Sequence, residues 1–300
     1  MNVIQCHDVT KSYGQNRALD HLSFEIGENK ITGLIGRNGA GKTTLLKMIA
    51  GYIKPTQGEL QVFTRKPFNN LDVSAKTIFI DDNMTFPDSF RLTDILSEVA
   101  PFYAAWNSSL ADALFNYFSF DPNQAHSNMS KGSKSTFNSI IGIATRCPLT
   151  IFDEPTTGMD SAVRKDFYKA LLKDYLEHPR TILLSSHLLS ELEEILEDIL
   201  LIDNGSKCLH LPIMELRELA VGIRGNEQAL LTFVEGKELI YKEEFAKGSL
   251  YVVIKKESIE QEFKHVRQNG LEVLPISPDD LCVYLTGKTG GGIDDVFKRS

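Results

Sequence analysis

The chain has 300 residues, 40 acidic and 32 basic side chains, and a net charge of −8. It is 42% hydrophobic and 24% charged, with 21 glycines and 11 prolines, which is the mix of a globular protein and excludes collagen, disorder or a membrane core. At about 150 residues per domain the length fits one large domain, or one large and one small, and the acidic balance argues against nucleic acid as a partner.

Residues 1 to 35 read as strands. Val3–Cys6 and Leu22–Ile26 alternate apolar with polar residues, the period of a half-buried strand. Ile31–Ile35 is a short apolar run leading straight into glycines, as a buried parallel strand ends at a phosphate-binding loop. Thr43 to Tyr52 follows with a helical apolar pattern. A further strand is expected over Ile78–Ile80.

From 88 to 146 the character changes to a helical segment rich in aromatics. One helix starts at Thr93–Leu96 and another covers Ser109 to Phe118. Phe90, Phe102, Tyr103, Trp106, Phe115, Tyr117, Phe118 and Phe120 are expected to form its core, or in part a docking surface. Strand and helix alternate again from 149 to 203: strands at Leu149–Phe152, Thr181–Leu184 and Ile199–Ile202, helices at Val163–Tyr175 and Ser190–Leu196. That alternation implies an α/β fold with a mainly parallel sheet and helices on its faces. Past 220 the pattern is that of a small α/β unit, 221–300. Its strands are predicted at Ala229–Phe233, Leu250–Ile254 and Leu271–Leu274, with a helix at Ile259–Val266 and a turn at Asn269–Gly270. A second helix is capped by Ser277 with Pro278 in its first turn, and Gly290–Gly292 reads as a loose tail.

Cys6, Cys147, Cys208 and Cys282 are far apart, with neither C-x-x-C nor zinc spacing, and are expected as reduced, mostly buried thiols. Met1–Asp8 lacks the basic-then-apolar pattern of a signal peptide, and no run of about 18 apolar residues occurs to span a bilayer. Work at a membrane would go through a partner.

The strongest motif is Gly36-Arg37-Asn38-Gly39-Ala40-Gly41-Lys42-Thr43, a G-x-x-x-x-G-K-[ST] sequence between a predicted strand and a predicted helix. Its glycines let backbone N–H groups close around phosphates, and the helix start adds a partial positive charge. Lys42 supplies a compact cation for the β- and γ-phosphates, and the Thr43 hydroxyl suits Mg²⁺. Leu149–Phe152 ends in Asp153-Glu154-Pro155. Asp153 is the expected metal partner, and Glu154, facing the other side, the group that reaches the attacking water. His187, leaving the strand at 181–184 through Ser185-Ser186, is placed to donate to the developing charge on the γ-phosphate.

The succession of phosphate loop, Met129-Ser130-Lys131-Gly132-Ser133, Asp153-Glu154-Pro155, Gly158-Met159-Asp160 and Ser186-His187 resembles the ATP-binding-cassette (ABC) superfamily over residues 1 to 220. The resemblance implies a P-loop NTPase domain over 1–220 with an N-terminal antiparallel β-subdomain and an inserted helical subdomain at 88–146. It implies ATP and Mg²⁺ as ligands, with Gly36, Asn38, Gly39, Ala40, Gly41, Lys42, Thr43 and Thr44 around the phosphates. Tyr13 matches the aromatic that stacks on adenine. Ser130 and Gly132 match the signature positions that bind the γ-phosphate of ATP held by the other subunit, and Asp160 matches the aspartate that crosses the dimer interface. The implied protein is a transporter's motor, cytoplasmic and peripheral on the membrane. It would pair head-to-tail with a copy of itself or a second ATPase subunit and drive separate transmembrane permease subunits.

Two departures stand out. Lys131 replaces the first glycine of the signature, a form similar to a bacterial exporter-type branch that includes subunits for acetoin utilisation and for antibiotic or peptide export. Where the family has a glutamine touching Mg²⁺, this chain reads Ile80-Asp81-Asp82-Asn83. Asp82 aligns there, with Asp81 as the alternative register. Competing expectations are a nucleotide sensor with little turnover, a chromosome-maintenance ATPase and a ribosome-associated ATPase. The chromosome-maintenance class needs a long coiled-coil insertion and the ribosome-associated class usually two cassettes, and neither feature is in this sequence.

Overall fold

The computed structural model describes residues 1–259, 266 and 269–287. Two compact units emerge, Met1–His210 and a second beginning at Leu211.

The first unit is built on two sheets. β1 (Asn2–Tyr13), β2 (Asn16–Gly27) and β4 (Gln57–Val62) form an antiparallel sheet in the order β2-β1-β4. The second sheet has six strands in the order β5-β6-β7-β3-β8-β9. These are β3 (Ile31–Ile35), β5 (Thr77–Ile80), β6 (Leu149–Asp153), β7 (Thr181–Ser186), β8 (Asp198–Asp203) and β9 (Ser206–Pro212). β5-β6, β6-β7, β7-β3 and β3-β8 all pair parallel. β3, β5, β6 and β7 are buried along their whole length, so they read in sequence as unbroken apolar runs rather than alternations. α1 (Lys42–Ile49) follows β3, and α6 (Ser161–Glu177) makes the crossover from β6 to its parallel neighbour β7. Leu45, Leu46, Met48 and Ile49 on α1 join one core with Ile4, Leu22, Ile151 and Leu183, which ties the two sheets together.

The helical insertion contains α3 (Leu92–Val99), α4 (Ser108–Tyr117) and α5 (Lys131–Ala144), after a short α2 (Leu71–Ser74). Phe115, Phe120, Phe137 and Phe86 pack edge-to-face and tilted at its centre, with buried His126 among them. Phe102 and Tyr117 stay exposed at 79% and 63%, so the aromatic set divides between core and surface.

The structure corrects two predicted elements. Ser190–Leu196 is not a helix: a 3₁₀ turn at Leu189–Glu191 is followed by turns. Leu189, Leu192 and Leu196 are buried, and a Cβ at Gly33 would lie 2.4 Å from Leu196 Cδ1, so the segment collapses onto β3 instead of extending. Ala229–Phe233 is not a strand but the body of α8 (Glu227–Phe233). A five-residue apolar run fits either period, and the Asn226 side chain decides it by accepting from the N–H groups of Gln228 and Ala229.

The second unit holds a four-stranded antiparallel sheet, β11-β12-β10-β13, made of β10 (Ala220–Asn226), β11 (Leu239–Ala246), β12 (Ser249–Lys255) and β13 (Glu272–Leu274). α7 (Ile213–Glu218) precedes it. α9 (Pro278–Thr286) starts as expected, Ser277 Oγ accepting from Asp280 N at 3.0 Å. The helix expected at Ile259–Val266 and the tail at Gly290–Gly292 lie outside the described residues, apart from Ile259 and Val266 themselves.

Candidate functional site: a phosphate loop ringed by carboxylates

β3 ends at Ile35, and Gly36 to Gly41 turn the chain into α1. The turn requires its glycines. A Cβ on Gly36 would sit 2.4 Å from Ile202 O, and Gly41 adopts φ +102° with its would-be Cβ 2.5 Å from Ala18 O. The loop is closed from the side by Gly205, whose N–H donates to Ala40 O at 3.0 Å. Arg37, Asn38 and Gly39 are exposed at its rim, while Ala40 is buried and Thr44 partly so.

Lys42, 5% exposed, gathers the site. Its Nζ donates to Gly36 O at 2.7 Å and lies 3.1 Å from Glu154 Oε1. Glu154 Oε2 in turn lies 3.3 Å from His187 Nδ1. The three groups expected to perform chemistry therefore meet, although Lys42 comes from the start of α1 and the other two from the ends of two different strands. Glu154 sits in the left-handed region at φ 48°, held there by its N–H donating to Ser185 Oγ at 2.9 Å.

Asp153 is 8% exposed, and burial pushes its carboxyl above the ordinary range. Hydrogen bonds from the Ser185 and Thr43 hydroxyls oppose that rise, while the charges of Glu154 and Asp81 add to it. The Ser185 bond to Asp153 Oδ1 is 2.6 Å long. A buried carboxylate raised by desolvation beside a hydroxyl is a site short of one cation. Among the described residues no cluster of three or more His, Cys, Asp or Glu is spaced to hold a metal by itself. A Thr–Asp pair that needs phosphate oxygens to complete a shell fits that pattern, and it fits Mg²⁺.

Asp81 and Asp82 take different surroundings at the end of β5. Asp82 turns to Lys131, Oδ2 to Nζ 3.1 Å, and accepts from Asn83. The charge of Asp81 adds to the upward push on the Asp153 carboxyl. The reason is strand register: Ile80 pairs with Phe152, so the next residue on β5 falls beside Asp153. Asp81 is anchored through its own carbonyl, which accepts from Asn138 Nδ2 on α5 at 3.3 Å.

Ser130, Gly132 and Asp160 gather elsewhere, in the wall of a cavity of about 170 Å³ completed by Phe118 and Gly158. Ser130 caps α5, accepting from Ser133 N at 3.1 Å, and Asp160 caps α6 through the N–H groups of Ala162 and Val163. Gly132 is required because a Cβ would lie 2.1 Å from Gly158 O. None of these three bonds to the Lys42–Glu154–His187 group. Tyr13 is half exposed at the end of β1, with Lys11 Nζ 4.9 Å from its ring centroid. The sequence reading missed Ser185, which ties Asp153 to Glu154. The signal was present in Ser185-Ser186-His187, one alternation before the histidine.

This fold with this loop defines a P-loop nucleotide triphosphatase. Residues 19–157 match the family model described as ABC transporter. The bacitracin transport ATP-binding protein BcrA of Bacillus licheniformis is 27% identical over 97% of this chain and 98% of its own length. The Nod factor export ATP-binding protein I of Cupriavidus metallidurans is 28% identical over 73% and 74%. Among solved structures, an ATP-binding subunit of an ABC transporter overlays with TM-score 0.64 at 21% identity, covering 72% of this chain and 92% of that one. A dimeric cassette in a post-hydrolysis state with ADP and Pi overlays with TM-score 0.62 at 20% identity, covering 70% and 98%. Over residues 19–157 the chain thus matches the ABC transporter family model, and across nearly its whole length it is similar to an ATP-binding subunit of such a transporter.

Proposed function

We propose that the chain is the motor of an exporter whose membrane-spanning permease is a separate polypeptide, and that it works as a dimer closed around two ATP molecules. The meeting of Lys42, Glu154 and His187 over the glycine loop carries this reading. Among the described residues no helix is long and apolar enough to cross a membrane, which leaves the spanning to a partner. The name of one relative, Nod factor export, favours export.

In this reading the loop amides and Lys42 orient the triphosphate. Thr43 and Asp153, with Asp81 beside them, hold Mg²⁺, which supplies charge neutralisation on the phosphoryl oxygens. Glu154 accepts the proton of the attacking water, and His187 donates to the transferring group while orienting Glu154. Catalysis is positioning plus electrostatics with no covalent intermediate. Tyr13 stacks on the adenine. The cavity holding Ser130, Gly132 and Asp160 takes the γ-phosphate end of ATP bound to the partner, because those residues are remote from this chain's own Lys42. The dimer forms between two copies or with a sister subunit, peripheral on the inner membrane face.

Size-exclusion chromatography of Glu154→Gln with Mg-ATP tests the proposal. The expected result is a nucleotide-dependent dimer that Ser130→Arg abolishes. A monomer at saturating nucleotide, with binding intact, would overturn the dimer reading.

A further inference from the structure

At the amino ends of the parallel strands, opposite the phosphate loop, lies a second cavity of about 380 Å³. Pro148 and Thr181, at the starts of β6 and β7, line it together with Val3, Phe63, Arg146 and Arg180. The nucleotide reading makes no use of it.

Its wall carries an unbalanced charge. Asp174 on α6 is shared by two guanidinium groups. Arg146 Nε and Nη2 reach its Oδ1 at 2.9 and 2.6 Å, and Arg180 Nη1 reaches its Oδ2 at 2.8 Å. One carboxylate between two arginines leaves one positive charge over. Arg180 is 4% exposed, and its Nε and Nη2 have no acceptor among the described residues. Those two N–H groups form one edge of the guanidinium that is closed to solvent, so the surplus charge acts on the cavity through its field rather than through an exposed donor pair. Burial already disfavours the charged form of Arg180, and the thiol beside it, Cys147, is pushed up to about 11 and stays neutral. Glu28, the one acidic side chain lining the cavity, is engaged by the Met1 amine at 3.0 Å. A buried charge left over in a low-dielectric wall focuses its field into the adjoining cavity.

We propose that this cavity binds a small organic anion, a carboxylate or phosphate group on a compact apolar body, with the Arg146–Arg180 pair as counter-charge and Val3, Phe63 and Pro148 packing the body. The site is separate from the nucleotide site, being at the other end of the sheet. The apolar wall excludes a bare inorganic ion as the best ligand.

Three probes separate the contributions: benzoate has charge and body, inorganic phosphate charge alone, and benzyl alcohol body alone. The full chain, with ADP saturating the phosphate loop, is titrated while the side-chain Nε–Hε resonances of ¹⁵N-labelled arginine are followed. Saturable movement of the Arg180 signal is expected with benzoate, at least tenfold weaker response with phosphate, and none with benzyl alcohol. Arg180→Met is expected to weaken benzoate at least tenfold, followed on Arg146. Should that variant fail to fold, Thr64→Trp at the exposed mouth of the cavity serves instead, with the arginines untouched and the same weakening expected. No saturable response to benzoate or phosphate, or an undiminished response in the variant that folds, overturns the proposal. Equal responses to benzoate and benzyl alcohol would show an apolar pocket without anion recognition and overturn it too.

Discussion

Two neighbouring parallel strands, β5 and β6, both end in a pair of consecutive carboxylates, and the two pairs behave differently. Asp153 and Glu154 are fastened from both sides. Ser185 holds the side chain of one and the backbone of the other, and Lys42 and His187 hold the side chain of Glu154. Asp81 and Asp82 stand at the same level of the sheet but at its edge. They have Asn83 and Asn138 as polar neighbours, with Lys131 reaching over from the start of α5. Two consecutive carboxylates thus form a fixed pair at a central strand and a looser pair at an edge strand. Position in the sheet, more than residue type, sets which carboxylate can perform chemistry.

The sharpest way to break the comparison is Glu154→Gln. If the fixed pair carries the reaction, ATP turnover falls by about 10³-fold or more, while nucleotide affinity changes by only a few-fold. Steady-state phosphate release and equilibrium binding measure the two effects. A variant keeping more than about a tenth of the activity would show that fastening a carboxylate here has no catalytic meaning.

Asp153→Asn comes next, with effects of opposite sign on function and stability. Removing the charge should raise the Mg²⁺ midpoint of turnover about tenfold or more, since a hydrogen bond or ion contact to a charged group is worth about 1.5–3 kcal/mol. Without metal the variant should melt higher than the parent at pH 7. Its carboxyl is raised above the ordinary value by burial, so the folded chain binds protons that the unfolded chain releases. The contribution of this group to stability is therefore greatest in acid and declines as pH rises through its raised titration range. A parent and variant with parallel stability–pH curves between pH 4 and 7 would show that Asp153 carries no such cost.

These two expectations mark what the sequence could and could not deliver. Gly36 to Thr43, Asp153, Glu154 and His187 were legible because each follows an apolar run, and backbone geometry then leaves little choice of position. The register of Asp81 and Asp82 was not legible. An acidic pair fits two alignments one residue apart, and the pairing of Ile80 with Phe152, which puts Asp81 level with Asp153, is not written in the sequence. Ala229–Phe233 failed for a related reason: its five residues are too few to display a period, and the Asn226 cap carried the information. Arg180 was invisible because its importance rests on sharing Asp174 with Arg146, a contact across 28 positions of chain on the far arginine's side and 6 on the near one. The helix α5 was overlooked because Ser and Thr fill its first turns, residues with modest intrinsic helix preference. They are carried by Ser130 as cap and by burial of nearly its entire later length.

The edge pair sharpens the contrast at smaller amplitude. Asp81→Asn removes one of the charges acting on Asp153 and should shift the Mg²⁺ midpoint by about threefold, whereas Asp82→Gln should leave it in place. Titrating Mg²⁺ in both variants decides the register. A shift in Asp82→Gln alone would restore the alignment in which that residue faces the metal.

The smallest effect is expected at Lys131. Its bond to Asp82 joins two exposed side chains, 59% and 41% accessible, and such pairs contribute about 0–1 kcal/mol. Lys131→Met should therefore change thermal stability by less than about 1 kcal/mol, and that small change should vanish in 0.5 M salt, where charges screen each other over roughly 4 Å. Double-mutant cycles with Asp82→Asn, read by denaturant unfolding at low and high salt, isolate the pair. A coupling above about 2 kcal/mol, or one that salt does not reduce, would mean that the edge pair is as firmly built as the central one, and the contrast between β5 and β6 would fail.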